Sequence, residues 1–340
     1  MEINKDQLDT FRKLIENASS IVLIPHKNTD GDAIGSVLGW WNLLKNKGYE
    51  ASVIVPDEVP ANLLWMKGAG EIIVYENNQS LAERKLREAG LFILLDFNDI
   101  ERCGDMAEVI KTLKAPRILI DHHPEPDIRI ASLLFSETEV SSTCELSFLI
   151  AEALQWEDKL DTHAAECFYS GVITDTGSLS YNSSAPRTYR VVGELVARGI
   201  DKDKIHKELF QSNSLERMRL LGHVLANNLE VIDNLATAYI TISKDELDKY
   251  QYRPGDTEGF VNYPLAIKGM DISALFTEKE KDKFVKISFR SRSNIPVNKY
   301  SETFFSGGGH LNAAGGEWYG KLDEAVQRFR DTFPEFLSRL

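Results

Sequence analysis

Short apolar runs alternate with amphipathic stretches through the first two hundred residues, the rhythm expected of βαβ units around a mostly parallel sheet. Ile21–Ile24, Ala51–Val55, Leu91–Leu95 and residues 118–120 read as buried strands. Between them, residues 33–47 predict a helix stopped by Gly48. Ser142, with Glu145 three positions on, reads as a capping box opening a helix that runs to Leu154. A further helix over 185–198 closes at Gly199.

Residues 214–228 are charged, amphipathic and free of breakers except Gly222, which predicts a linking helix. Beyond it the apolar positions alternate, at Ala238, Ile240, Ile272, Ala274 and then Phe284, Val285, Ile287 and Phe289, so a second, smaller sheet with helices is expected. The fold class is therefore α/β. The domains are expected at 1–212 and 231–340, joined by the helix at 213–230.

No run of eighteen apolar residues occurs, and the first residues lack the basic-then-apolar layout of a signal peptide. A soluble, cytoplasmic protein without membrane contact is expected. Cys103, Cys144 and Cys167 stand far apart, with no spacing for a thiolate zinc site, and read as buried, reduced thiols. With 39 Lys+Arg against 52 Asp+Glu the formal charge is -13, which disfavours wrapping a long or double-stranded phosphate backbone. A small anionic substrate stays open, provided that cations are supplied locally.

Chemistry gathers where apolar runs end. The first run leads into Pro25, His26, Asp30 and Asp32, and the crevice at the carboxyl ends of an open α/β sheet is where ligands bind. Alone, Asp30-Gly31 is also an ordinary turn, and Asp32 an ordinary helix cap. The third run delivers Asp96, and the fourth delivers Asp121, His122 and His123, where adjacent histidines are hard to bury as core residues. A further apolar segment at 171–173 leads to Asp175 in a Thr/Gly-rich turn, read as a fourth such tip. Carboxylates with a minority of imidazoles suit Mn²⁺ or Mg²⁺, in a number that implies two ions, and a pair of ions points to phosphoryl chemistry.

These segments, H26-N-T-D30-G-D32, Asp96, D121-H-H-P124 and G171-V-I-T-D175-T-G, resemble the four motifs of the DHH phosphoesterase superfamily. S288-F-R290-S and F305-S-G-G-G-H310-L-N-A-A-G-G316 are similar to the DHHA1 domain of one branch, so that the resemblance covers nearly the whole chain. It implies an N-terminal DHH domain and a C-terminal DHHA1 domain with a mixed sheet. The branch it resembles contains bifunctional nano-RNases and pAp phosphatases.

By that resemblance His26 and Asp30 would hold one ion, Asp32, His122 and Asp175 the other, and Asp96 would bridge. Asp121 would orient a histidine, and His123 would meet a substrate phosphate. The ions are expected to be Mn²⁺, with Mg²⁺ or Co²⁺ as alternatives, and a hydroxide bridging them would attack phosphorus. Arg290, Gly307, Gly308, Gly309 and His310 are expected to bind the substrate, the glycines by letting the backbone approach it. The substrate would be pAp or a very short oligonucleotide; homodimerisation stays open. Rival readings are a phosphodiesterase for cyclic (c-di-AMP type) or linear dinucleotides and, from another class, an inactive nucleotide sensor. A family II pyrophosphatase is disfavoured by the GGGH segment. Arg187 reads as a solvated helix start, and His163, His206 and His223 as surface or partly satisfied side chains.

Overall fold

Strand formation follows the apolar runs closely. The chain begins with α1 (Lys5–Asn17), β1 (Ile21–Ile24), α2 (Gly31–Asn46) and β2 (Ala51–Val55). It continues with β3 (Ile73–Val74), α3 (Gln79–Glu88), β4 (Leu91–Leu95), α4 (Met106–Thr112), β5 (Arg117–Asp121) and β6 (Leu133–Ser136). Four helices complete the first part: α5 (Thr143–Ala153), α6 (Thr162–Asp175), α7 (Pro186–Ala197) and α8 (Lys202–Phe210). This computed structural model describes residues 3–253, 255–279 and 284–340. It divides into two units, Met1–Ser212 and Asn213–Leu340.

The first unit's sheet runs in the order β3-β2-β1-β4-β5-β6, every pairing parallel. Both faces are covered. Leu23, Ile93 and Ile120 pack with Trp40, Leu146 and Phe168 on one side, and Val22, Phe92, Leu94 and Leu119 with Ala82, Leu86 and Ile110 on the other. Double coverage explains why these strands are apolar throughout rather than alternating. The strand order reverses between β1 and β4, which are direct neighbours with Ile24 opposite Leu94. That switch point opens the crevice in which an α/β sheet holds its ligand.

One expectation changes here. Residues 171–173 belong to α6, so Asp175 arrives on the last turn of a helix and not at a strand tip. The helix is buried from Ala164 to Ile173 on almost every side, and an all-round apolar segment has no period that separates a short strand from a core helix.

The second unit contains α9 (Leu215–Asn227), β7 (Leu229–Ile232), β8 (Thr237–Ile242) and α10 (Lys244–Lys249). There follow β9 (Ile272–Lys279), β10 (Phe284–Ser291), α11 (Val297–Phe304), β11 (Gly308–His310), β12 (Ala313–Trp318) and α12 (Leu322–Leu337). Its sheet, β11-β12-β10-β9-β8-β7, is antiparallel except for the parallel pair β8 and β9. The helix expected as a linker, α9, buries Leu220, Leu221 and Val224 against Ile240, Ile242 and Phe260, and so is part of this unit's core. Strict alternation holds on β10 alone among the runs singled out; β8 and β9 are buried at consecutive positions. Among the described residues, no helix is long and apolar enough to cross a membrane.

Candidate active site

His26 stands two residues beyond β1, and Asp96 immediately follows β4, so neighbouring parallel strands deliver an imidazole and a carboxylate to the same crevice. β5 pairs with β4 on the other side and ends at Asp121, with His122 and His123 next. Asp96 has a left-handed backbone, φ 68°, which Asp tolerates better than most residues and which costs about 1 kcal/mol or more. The turn is tied back by its N–H donating to Ile120 O at 3.1 Å.

The helices bring the rest. A β-carbon at Gly171 of α6 would collide with Cys144 Sγ and lie 2.6 Å from Asp32 Oδ1, and one at Gly35 of α2 would lie 2.6 Å from Cys167 O. Only glycine permits so close an approach of α2 and α6, and it is this approach that brings Asp32 beside Asp175. At the start of α2 the cap is Asp30, not Asp32: Asp30 Oδ1 accepts from the amides of Asp32 and Ala33, each at 3.0 Å. Asp32 is engaged by another helix, its two oxygens accepting from Thr143 N at 2.6 Å and Cys144 N at 2.9 Å, the first amides of α5.

The donors fall into two groups that share one residue. Asp96 Oδ2 lies 3.4 Å from His26 Nε2, which is 3.9 Å from Asp30 Oδ2. Asp96 Oδ1 lies 3.6 Å from His122 Nε2, which is 3.8 Å from Asp32 Oδ2 and 3.4 Å from Asp175 Oδ2. His26 Nδ1 stands 2.8 Å from Lys27 O, a contact that places the proton on Nδ1 and turns Nε2 with its lone pair toward the acids. His123 Nδ1 is 2.7 Å from Asp121 Oδ1, so Asp121 orients the second histidine of the pair.

Crowding of acids in a buried place shapes the electrostatics. Burial pushes the Asp96 carboxyl well above its usual range, and the charges of Asp32, Asp30, Asp175 and Asp121 add to this. Asp32 is pushed up to about 7 by burial and by Asp175, and Asp121 up to about 6 by burial. Burial lowers His26, and lowers His123 further with the help of His122, Arg102 and His26. Among the described residues, the buried Asp121 Oδ2 has no hydrogen-bond partner. A set of oxygen donors that repel one another, with imidazoles interspersed, fits divalent cations: His26, Asp30 and Asp96 could hold one, and Asp32, Asp96 and His122 another.

The residues expected to bind substrate lie in the second unit. Register places Arg290 opposite Ala313 and Ala313 opposite His310, with Ser288, Gly315 and Gly308 in the adjoining row. In antiparallel pairs opposite residues share a face, so Arg290 and His310 flank a floor of small residues. The opposite face of β10 buries Val285, Ile287 and Phe289 against Phe329 and Phe305. Gly308 and Gly309 lie in the edge strand β11, and Gly307 immediately precedes it. A β-carbon at Gly307 would collide with Gly315 O and Ser301 Oγ, and Gly309 has φ 133°, so those two glycines are explained by the strand's own packing.

Arg187 also departs from expectation. Its Nε donates to Glu145 Oε1 at 2.7 Å, and that carboxylate is fully buried. The capping box is half as expected: Ser142 Oγ accepts from Glu145 N, but Glu145 Oε2 reaches back to Ser141 N and Ser141 Oγ. Thr143, whose hydroxyl donates to Asp96 Oδ1 at 2.9 Å, carried no signal in the sequence beyond its place at a helix start.

Residues 20–172 match the model of the DHH family, N-terminal domain, and residues 233–339 that of the DHHA1 domain. The crystal structure of an exopolyphosphatase-related protein from Bacteroides fragilis is 38% identical with a TM-score of 0.92, covering 98% of this chain and 97% of that one. The bifunctional oligoribonuclease and PAP phosphatase NrnA of Bacillus subtilis is 27% identical over 92% of this chain and 93% of its own length. The cyclic-di-AMP phosphodiesterase GdpP of the same organism is 25% identical over 96% of this chain, which matches 49% of that protein. With both domain models met in order, and a relative 38% identical matched almost end to end, the chain belongs to the DHH family of phosphoesterases.

Proposed function

We propose that this phosphoesterase hydrolyses a phosphate ester on very short nucleotide substrates, a pAp-type 3′-phosphate or an oligonucleotide of a few residues. The observation that carries it is the division of Asp96: one oxygen faces His26 and the other faces His122, so a single carboxylate serves two donor groups. His26 and Asp30 are assigned to one divalent cation, Asp32, His122 and Asp175 to the second, and Asp96 to both; Mn²⁺ is the ion we favour. Two such cations, when bound, activate a water and neutralise charge on the attacking and leaving oxygens of an in-line displacement.

The chain's own residues supply geometry. Asp121 fixes the ring of His123, which is assigned to the reacting phosphate, and Lys27 O fixes that of His26. Arg290 and His310, on one face of the second unit's sheet, are assigned to the substrate's anionic and base portions, with Gly308 leaving room in the adjoining row of the same face. Relatives named as an oligoribonuclease and PAP phosphatase support the substrate class, and the acidic net charge of -13 supports a short rather than a long one. Three buried, unpaired cysteines support a reducing, cytoplasmic setting.

Product analysis tests this directly. Purified protein with Mn²⁺ is offered pAp, oligonucleotides of two to five residues and a cyclic dinucleotide. Release of phosphate from pAp, or stepwise mononucleotide release from the shortest oligomers, is the expected result. Preferred cleavage of the cyclic dinucleotide would transfer the assignment to the activity for which GdpP is named. Full activity in Asp96→Asn, or after chelation, would overturn it altogether.

A further inference from the structure

Thr143 opens α5, and it grips two of the carboxylates at once. Its hydroxyl donates to Asp96 Oδ1 at 2.9 Å and its backbone N–H donates to Asp32 Oδ2 at 2.6 Å, while Cys144 N holds Asp32 Oδ1 at 2.9 Å. Thr143, Asp32 and Asp96 are all buried, so bulk water does not compete for these bonds. With both oxygens of Asp32 held by amides that cannot rotate, the plane of that carboxylate is fixed.

The contacts fall on one side only. Asp96 Oδ1, which Thr143 holds, faces His122 Nε2 at 3.6 Å, and Asp32 Oδ2 faces the same nitrogen at 3.8 Å. Asp96 Oδ2, which faces His26, receives nothing from Thr143. The turn carrying Thr143 is itself braced from behind. Glu145 Oε2 accepts from Ser141 N, Ser141 Oγ and Thr188 Oγ1, and Arg187 bridges Glu145 Oε1 and Glu139 O, at 2.7 and 2.8 Å. α7 thereby holds the start of α5 against the site.

We propose that Thr143 is a positioning residue that sets the cation affinity of the Asp32, His122 and Asp175 half of the centre, leaving the His26 and Asp30 half largely unaffected. It rests on the assignment of those residues as ligands. Groups that orient metal ligands change affinity about 10- to 100-fold when removed. The hydroxyl contributes orientation and not charge, so serine should replace it and valine, of the same shape, should not.

Calorimetric titration of the full chain with Mn²⁺ alone separates the possibilities. Wild type should show two binding events. Thr143→Val should weaken one of them by about tenfold or more, leave the other, and be rescued by Thr143→Ser. In the hydrolysis assay the rate lost in Thr143→Val should return as Mn²⁺ is raised, a recovery that a general folding defect would not give. Should the valine variant fail to fold, Thr143→Ala takes its place in the same titration. Two unchanged events in the variants, equal weakening of both, or no rescue by serine would each overturn the role of Thr143. A wild type that binds no Mn²⁺ would instead remove the ligand assignment beneath it.

Discussion

Arg187 Nε meets Glu145 Oε1 at 2.7 Å across two helices, and the carboxylate it meets has no exposed surface. Burying an acid is costly unless its charge is matched, and here hydrogen bonds from Ser141 and Arg187 outweigh burial and hold Glu145 below its ordinary range. Arg187→Ala removes the cation but leaves the Ser141 and Thr188 donors. The expected loss is roughly 2–3 kcal/mol, read as a lower urea midpoint with unchanged slope. Arg187→Lys should recover part of it, because lysine restores the charge but not the fork.

A second, partly buried acid gives a pH signature. Glu246 is half-buried, and although burial alone would raise it, bonds from Asn228, Ser243 and His223 hold it at about 2. A depressed acid contributes stability that is complete above its unfolded value, about 4.3, and is lost as pH falls toward the folded value. Wild type should therefore exceed Glu246→Gln in thermal stability at pH 7. The gap should narrow between about pH 4.3 and the lowest pH at which unfolding can be followed; a constant gap would show that charge is not the cause.

Asp96→Asn should separate function from stability. Asn ends the cost of keeping a carboxyl buried among Asp32, Asp30, Asp175 and Asp121, which the metal-free chain bears either as repulsion or by holding a proton on Asp96, so the melting temperature of chelated protein should rise. Hydrolysis should fall by more than about a hundredfold, beyond the range seen when only a ligand's supporting group is lost. Scanning calorimetry with chelator, beside a rate assay with Mn²⁺, reads both.

Helix proximity is testable with one methyl group. Gly171→Ala forces a carbon against Cys144 Sγ and Asp32 Oδ1 and should cost about 1–3 kcal/mol, with activity lost because Asp32 is what must move. Gly193, helical with nothing within 4 Å of an added β-carbon, is the control. Gly193→Ala should gain about 0.5–1 kcal/mol and leave the rate unchanged.

Strands β1, β2 and β4 could be read residue for residue from the sequence, since a parallel sheet covered on both faces demands unbroken apolar runs and leaves its polar residues for the tips. The same logic made His26, Asp96 and Asp121 to His123 visible. It failed at residues 171–173, where a helix buried all round looks like a strand, and at β3 and β6, too short and too mixed in burial to stand out.

What the sequence alone determined is the chemistry available: which acids and imidazoles exist, and at which ends of which elements. What only the tertiary structure decided is which oxygen faces which nitrogen. The division of Asp96 between His26 and His122, the capture of Asp32 by α5 and the pairing of Arg187 with Glu145 join residues from 26 to 112 positions apart. Such contacts leave no local period or spacing, because they are set by strand order and helix packing, and those emerge only when the whole core closes.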